Sequence, residues 1–491
     1  MINSINPCNT SIFYYNDIHC RLGNMARVKT MSDFFDLSEQ ENTDKLKFAS
    51  GDIMLGADDK YNVCANMFMN ATGISSSALG NHEFDSSPDE LARLTQNAKF
   101  KVLGINLHVA KDNPLYNRIE KSYIEEKNGH KYGIIGLAPP DLHERIRANK
   151  SREQIAVDDF EKTIQDIKAE VEKFKSQDIN KIIVLSHSGL AKDRRIAEEI
   201  EGIDIIMSAH THELIKDIKE GENLLYSQSG EPVIITQAGK DGEQAGVLNV
   251  EFNSDGVITK AQNNVMETKD FRRNIPLRAA FEQILGPAEK LGVIKSAPPA
   301  PADRLVDPNP HAYFIADAMR KELGTDMALV NAGNVRGYFE AGTIDSRQVF
   351  EVVPLKNNAV TLKLTEKEIT DALKSGAKSF LNPGHKPSVI MPSGLKYTVS
   401  KQGEIKELYF IDKQGKEVPI DVNNPNPNKT YTVAADDFFA SGGDGLIPDK
   451  MTAGQYDKLF DYDKDKITCD YIKKFTEPIE IKDDGRITVA G

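Results

Sequence analysis

Gly80-Asn81-His82-Glu83-Phe84-Asp85 sets an amide, an imidazole and two carboxylates side by side in a short glycine-led stretch. Asp17-Ile18-His19 and Gly51-Asp52 precede it, and Ser186-His187 and Ala209-His210-Thr211-His212 follow. Nearly all of these patterns come directly after a β-prone run such as Ser11-Ile12-Phe13-Tyr14-Tyr15. Residues just past the carboxyl ends of strands converge on one rim of an α/β sheet, where such folds place their sites. The five patterns are therefore expected to meet.

Their residue types fit two divalent cations sharing a bridge. Imidazole and carboxylate suit Zn²⁺ or Mn²⁺, an amide oxygen can complete a sphere, and a set without cysteine is unlike a structural zinc site. Asp17, His19 and His212 are assigned to one ion and Asn81, His187 and His210 to the other, with Asp52 bridging. Two such ions about 3.5–4 Å apart can hold a hydroxide and clamp phosphoryl oxygens during in-line displacement, so no protein nucleophile is needed. His82 is the expected cationic donor to the transition state, with Asp85 orienting it. A lone Asp-x-His, Gly-Asp or His-x-His is usually an ordinary strand-end turn. The weight lies in the ordered set, which uses five of the ten histidines. His108, His130, His143, His311 and His385 stand in polar, loop-like or helix-start surroundings and are read as surface or hydrogen-bonding residues.

At 491 residues the chain exceeds what one core supports, so two or three domains are expected. A net charge of −13 argues against coating a nucleic-acid polymer, which needs a basic face, but suits the capture of divalent cations. Cys8, Cys20, Cys64 and Cys469 are scattered without metal or disulfide spacing and are expected to be free thiols. No apolar run reaches the roughly 18 residues of a membrane span, and Met1-Ile2-Asn3-Ser4 lacks the character of a signal peptide. A cytoplasmic protein is expected, or a periplasmic or secreted one if a leader has been removed. No pattern speaks to its oligomeric state.

Further β-prone runs at 181–185, 203–207 and 233–236 alternate with helical stretches, and 158–174 places Phe160, Ile164, Ile167, Val171 and Phe174 on one helical face. The first half therefore reads as a layered α/β domain. From Asp270 to Ile294 the spacing predicts a helical stretch interrupted at Gly286-Pro287, then a proline-rich spacer at 296–301. This places a first domain at 1–268, a helical and proline-rich linker at 269–301 and a second α/β domain at 302–491. In the last, 313–323 reads as a helix, and 328–331, 360–364 and 431–435 as strands.

The ligand set resembles that of the calcineurin-like metallophosphoesterases. Leu185-Ser186-His187-Ser188-Gly189-Leu190, Gly202-Ile203-Asp204 and Ala209-His210-Thr211-His212 are similar to the 5′-nucleotidase branch. So are Asn331-Ala332-Gly333-Asn334-Val335-Arg336 and Asp437-Phe438-Phe439-Ala440-Ser441-Gly442-Gly443-Asp444-Gly445 in the second half. The resemblance implies a four-layer metallophosphoesterase β-sandwich flanked by helices, followed by a C-terminal α/β substrate-binding domain. It implies that Asn331 and Arg336 contact a nucleotide, Phe438 stacks on the base and Asp444 accepts from ribose hydroxyls, with the substrate spanning the cleft between domains. The implied activity is release of phosphate from nucleoside 5′-monophosphates by a metal-bound hydroxide. Alternatives are a 2′,3′-cyclic nucleotide phosphodiesterase/3′-nucleotidase, a UDP-sugar hydrolase, a hydrolase of another small phosphoester, or a protein that binds its ligand without catalysis. The chain departs from the family pattern at Leu355, where a second base-stacking aromatic is usual, and at Cys20 and Ala209, where glycine is. Arg304 is the nearest match to the family's arginine upstream of the second-domain helix.

Overall fold

Along the strand Cys8–Tyr15 the side chains alternate between two interiors. Ile12 and Tyr14 join a core with Leu46, Phe48, Ile183, Leu185 and Met207, whereas Phe13 and Tyr15 point the other way, their rings 5.7 Å from Phe35 and 5.1 Å from Phe68. A strand buried on both faces needs such an unbroken apolar run. The computed structural model describes residues 7–39, 41–56, 58–145, 154–381 and 388–490; His385 lies outside them. The chain divides into two units, 1–286 and 287–491.

The first unit holds a seven-stranded and a six-stranded sheet. In the seven-stranded sheet, Cys8–Tyr15 runs parallel to Thr43–Ala49, which runs parallel to Ser76–Ala78. In the six-stranded sheet, His130–Leu137, Ile182–Ser186, Ile205–Met207 and Pro232–Thr236 are successive parallel neighbours. The sheets meet face to face through the core just described. Helices Phe160–Lys175 and Leu190–Glu199 cover the outer face of the six-stranded sheet, packing Ile164, Ile167, Val171, Phe174 and Ile196 on Ile182, Val184 and Ile206. Helices Leu22–Leu37 and Asp59–Thr72 supply Phe35 and Phe68 to the outer face of the other. Each large apolar side chain buried in these layers contributes about 1.5–3 kcal/mol. Helix, sheet, sheet and helix make the expected four layers. All four cysteines are buried free thiols.

The helix expected from Asp270 to Ile294 is corrected. Ile275–Leu285 is helical, capped by Asn274, whose side chain accepts from Leu277 N at 3.0 Å. Beyond Pro287 the chain is extended, and Lys290–Ser296 pairs with Gly342–Asp345 and Ile479–Glu480. Leu291 and Ile294, three residues apart, imitate a helical stripe. A bulge between Lys290 and Gly292 lets both be buried from a strand.

In the second unit a five-stranded sheet runs Ile390–Ser393, Met327–Asn331, Thr430–Asp436, Asn358–Thr365, Tyr456–Asp463. Met327–Asn331 and Thr430–Asp436 are parallel neighbours, so the segments that follow them start at the same edge. Helix Pro310–Leu323 holds His311 in its first turn, the helix-start and hydrogen-bonding place expected of it, and buries it. Its Nδ1 accepts from Phe339 N, and its Nε2 lies 3.1 Å from the Pro298 carbonyl. His108, His130 and His143 pair with Asp158, Asp44 and the Ile155 carbonyl, the hydrogen-bonding roles expected of them.

Candidate metal centre

The loops after the parallel strands of the first unit are held in unusual backbone. Asp17 (φ 48°), His19 (51°), Cys20 (54°), Asp52 (53°), His210 (76°) and His212 (63°) are all left-handed. Non-glycine residues pay about 1–3 kcal/mol for such conformations and keep them only where the surroundings over-determine them. Here three backbone bonds zip two loops together: Asp17 N to Gly51 O, His19 N to Asp52 O and Cys20 N to Ile53 O, each 3.0 Å. The left-handed φ at Cys20 explains why glycine suits that position. Glu83 clamps the third loop to the second, its carboxylate accepting from Asp52 N, Ile53 N, Met54 N and Gly80 N at 2.8–3.1 Å. Gly80 must lack a side chain, since a Cβ there would lie 2.1 Å from Asp52 Oδ1.

This backbone brings the expected ligands together. Asp17, His19 and His212 offer ligand atoms within 4.8 Å of one another, as do Asp52, His187 and His210, and also His19, Asp52 and His82. Asp52 Oδ2 lies 3.1 Å from His187 Nε2 and 3.7 Å from His19 Nε2, between the two groups. Asp17 Oδ1 is 3.4 Å from His212 Nε2 and 3.9 Å from His19 Nε2. Asp17 Oδ1, His19 Nε2, Asn81 Oδ1 and His187 Nε2 are buried and make no hydrogen bond. Three of these, on Asp17, His19 and His187, belong to the groups just described, and such buried atoms are costly to the fold unless a cation satisfies them. The residues present fit divalent ions.

Electrostatics point the same way. Burial disfavours charge on Asp17 and Asp52, yet the neighbouring histidines hold Asp17 at about 2 and Asp52 well below the ordinary carboxylate range. Burial likewise opposes charge on His187, but Asp52 and Asp17 push it up to about 10. The pocket attracts positive charge, and a metal entering it displaces protons.

His82 and Asp85 sit beside this cluster, His82 Nδ1 lying 2.7 Å from Asp85 Oδ2, with the His82 ring 5.4 Å from that of His19. The Asp85 carboxylate also accepts from Gly56 N, which fixes it. Sequence reasoning missed three supports. Asp241 Oδ1 lies 3.1 Å from His19 Nδ1, the Ser50 carbonyl 2.7 Å from His187 Nδ1, and Asn16 donates to Asp17 Oδ2 at 2.7 Å. Asp241 gave no signal because it follows a strand without a motif around it. The Glu in Asn-His-Glu was visible but had no assigned role.

In the second unit, Asn331 donates to Asp444 Oδ2 and accepts from Gly333 N at 2.8 Å. Asn334 donates to Asp436 at 2.7 Å, tying the Asn331–Arg336 loop to the segment that holds Phe438. The Phe438 ring lies against Gly443, where a Cβ would come within 2.5 Å of it. Phe438, Arg336, Asp444, Leu355 and Arg304 are all partly exposed.

A family model for calcineurin-like phosphoesterase matches residues 10–214, and one for the C-terminal domain of 5′-nucleotidase matches 293–452. The chain is 26% identical to a trifunctional nucleotide phosphoesterase of Bacillus subtilis over 97% of its own length and 34% of that protein. It thus spans about a third of that relative. It is 25% identical to a probable 5′-nucleotidase of Treponema pallidum over 77% of this chain and 74% of the other. The crystal structure of a 5′-nucleotidase precursor from Thermus thermophilus shares the fold, with a TM-score of 0.81 and 24% identity over 98% of this chain and 99% of that one.

Proposed function

Since this chain belongs to the calcineurin-like phosphoesterases that carry a 5′-nucleotidase C-terminal domain, we propose that it hydrolyses nucleoside 5′-monophosphates with the help of two divalent ions, Zn²⁺ or Mn²⁺. The observation that carries the reading is the cluster of buried, unsatisfied ligand atoms on Asp17, His19, Asn81 and His187. Bound divalent ions supply Lewis acidity toward phosphoryl oxygens and make a coordinated water acidic enough to attack phosphorus near neutral pH. Asp17, His19 and His212 would hold one ion and Asn81, His187 and His210 the other, with Asp52 placed to serve both. His82, its Nδ1 held by Asp85, leaves Nε2 to donate to the phosphoryl group as negative charge builds. In the second unit Phe438 provides a stacking face, Asp444 an acceptor for ribose hydroxyls, and Asn331 and Arg336 polar contacts to the nucleotide.

Leu355 favours a second reading, in which the phosphoester is not a nucleoside monophosphate, because an aliphatic side chain stands where the family offers a second aromatic. Phosphate release from AMP, UDP-glucose, 2′,3′-cyclic AMP and glucose 6-phosphate, assayed with Mn²⁺ and Zn²⁺, separates the two. AMP is expected to lead. Equal rates on glucose 6-phosphate would move the conclusion to the second reading.

A further inference from the structure

The two halves of the metal cluster are not supported alike. His187 Nδ1 meets a neutral acceptor, the Ser50 carbonyl at 2.7 Å. His19 Nδ1 meets a carboxylate, Asp241 Oδ1 at 3.1 Å. Asp241 is itself fixed from several sides. Its backbone N–H donates to Asp17 O at 2.6 Å, its carbonyl accepts from Asn24 Nδ2 at 2.9 Å, and Arg21 Nε lies 3.5 Å from its side chain. Its left-handed φ of 56° marks a backbone held by this tethering. The turn that carries Asp241 is thus fastened to the loop that carries Asp17 and His19.

A carboxylate on the outer nitrogen keeps a proton on Nδ1, leaves the Nε2 lone pair free for a cation and strengthens its donation. The ligand charges add to this asymmetry. Besides its share of Asp52, the Asp17–His19–His212 half has the nearer access to a second carboxylate, Asp17 Oδ1 lying 3.4 Å from His212 Nε2 and 3.8 Å from His187 Nε2. The Asn81–His187–His210 half offers only neutral ligands besides that share. We infer that Asp241 is a positioning residue for His19 and makes the Asp17–His19–His212 half the tighter of the two cation sites, which fills first. The inference rests on the dinuclear reading given above, and its test separates the failure of one from the failure of the other.

The experiment is titration of chelator-stripped full-length protein with MnCl₂, read by calorimetry and by electron paramagnetic resonance. Wild type is expected to take up two equivalents in two steps, the first giving a mononuclear Mn²⁺ spectrum. Asp241→Asn keeps the shape of the side chain and removes its charge. It is expected to weaken the first step about 10–100-fold, as removal of a partner to a ligating histidine does, and to leave the second within about threefold. His212→Ala should weaken the same step as Asp241→Asn, and His210→Ala the other. Thermal unfolding of the metal-free variants shows whether each is folded. Two unchanged steps in folded Asp241→Asn, or weakening of the step that His210→Ala weakens, would overturn the inference while leaving the dinuclear reading in place. No Mn²⁺ uptake by wild type would overturn both.

Discussion

The candidate metal centre of the first unit and the strand ends of the second both bury carboxylates, and they hold them by different means. In the first unit the carboxylates of Asp17 and Asp52 face histidines and leave ligand atoms unsatisfied. In the second, the buried carboxylates meet lysines: Asp436 pairs with Lys464, and Asp463 and Asp465 share Lys356. The first group meets imidazoles, which can also bind a cation, whereas the second meets lysine ammonium groups of the chain itself, and Asp463 Oδ1 and Asp465 Oδ1 also lack a hydrogen bond. Imidazoles gathered with carboxylates, rather than unsatisfied atoms alone, mark the place where a divalent cation belongs.

The largest expected effect breaks the first cluster at its shared member. Asp52→Ala should reduce both metal occupancies and lower phosphate release by more than about 10³-fold. Metal content by mass spectrometry checks it, and two tightly held ions would refute the bridge. His82→Asn should cost about 10²–10³ in kcat, the size of losing one transition-state donor, with two ions still bound; an unchanged rate would remove His82 from the chemistry. Phe438→Ala tests the second unit. Loss of about 1–3 kcal/mol of stacking should raise KM for AMP by roughly 5–150-fold and leave metal content alone. An equal loss on a phosphoester without a base would show that Phe438 does not stack.

The smallest effect concerns stability. Burial, then Asp463, raises Asp465 to about 7. The folded state therefore keeps a proton that the unfolded chain releases near pH 4, so this contribution to stability is full below about pH 4 and is lost as pH rises toward 7. Asp465→Asn should flatten that slope. Melting temperatures of wild type and variant at pH 5 and pH 8 measure it, and parallel slopes would contradict the assignment.

The candidate ligands were legible in the sequence because metal coordination admits few residue types and the strand ends fix their order. Asp17, Asp52 and His187 could be read before any contact was known. Asp241 could not, since it reaches His19 from the turn between strands Pro232–Thr236 and Gln244–Phe252, and no local pattern encodes an encounter between residues 222 positions apart. The layered α/β character of the first half was legible in the β-prone run at 11–15 and in the helical face at Ile164, Ile167 and Val171, whereas the four layers came only through family resemblance. The strand Lys290–Ser296 was misread because a bulge lets Leu291 and Ile294 keep helical spacing in an extended chain. The nucleotide loops were visible only through family resemblance, because a stacking ring and a glycine turn occur in many proteins for other reasons.

The central claim is that two cations at the first unit's cluster carry phosphoester hydrolysis. Its most direct test follows phosphate release from AMP by chelator-stripped protein as Mn²⁺ is added back in known equivalents. Activity is expected to be negligible at the start and to level off at two equivalents per chain. Full activity in the stripped protein, or a plateau at one equivalent, would contradict it.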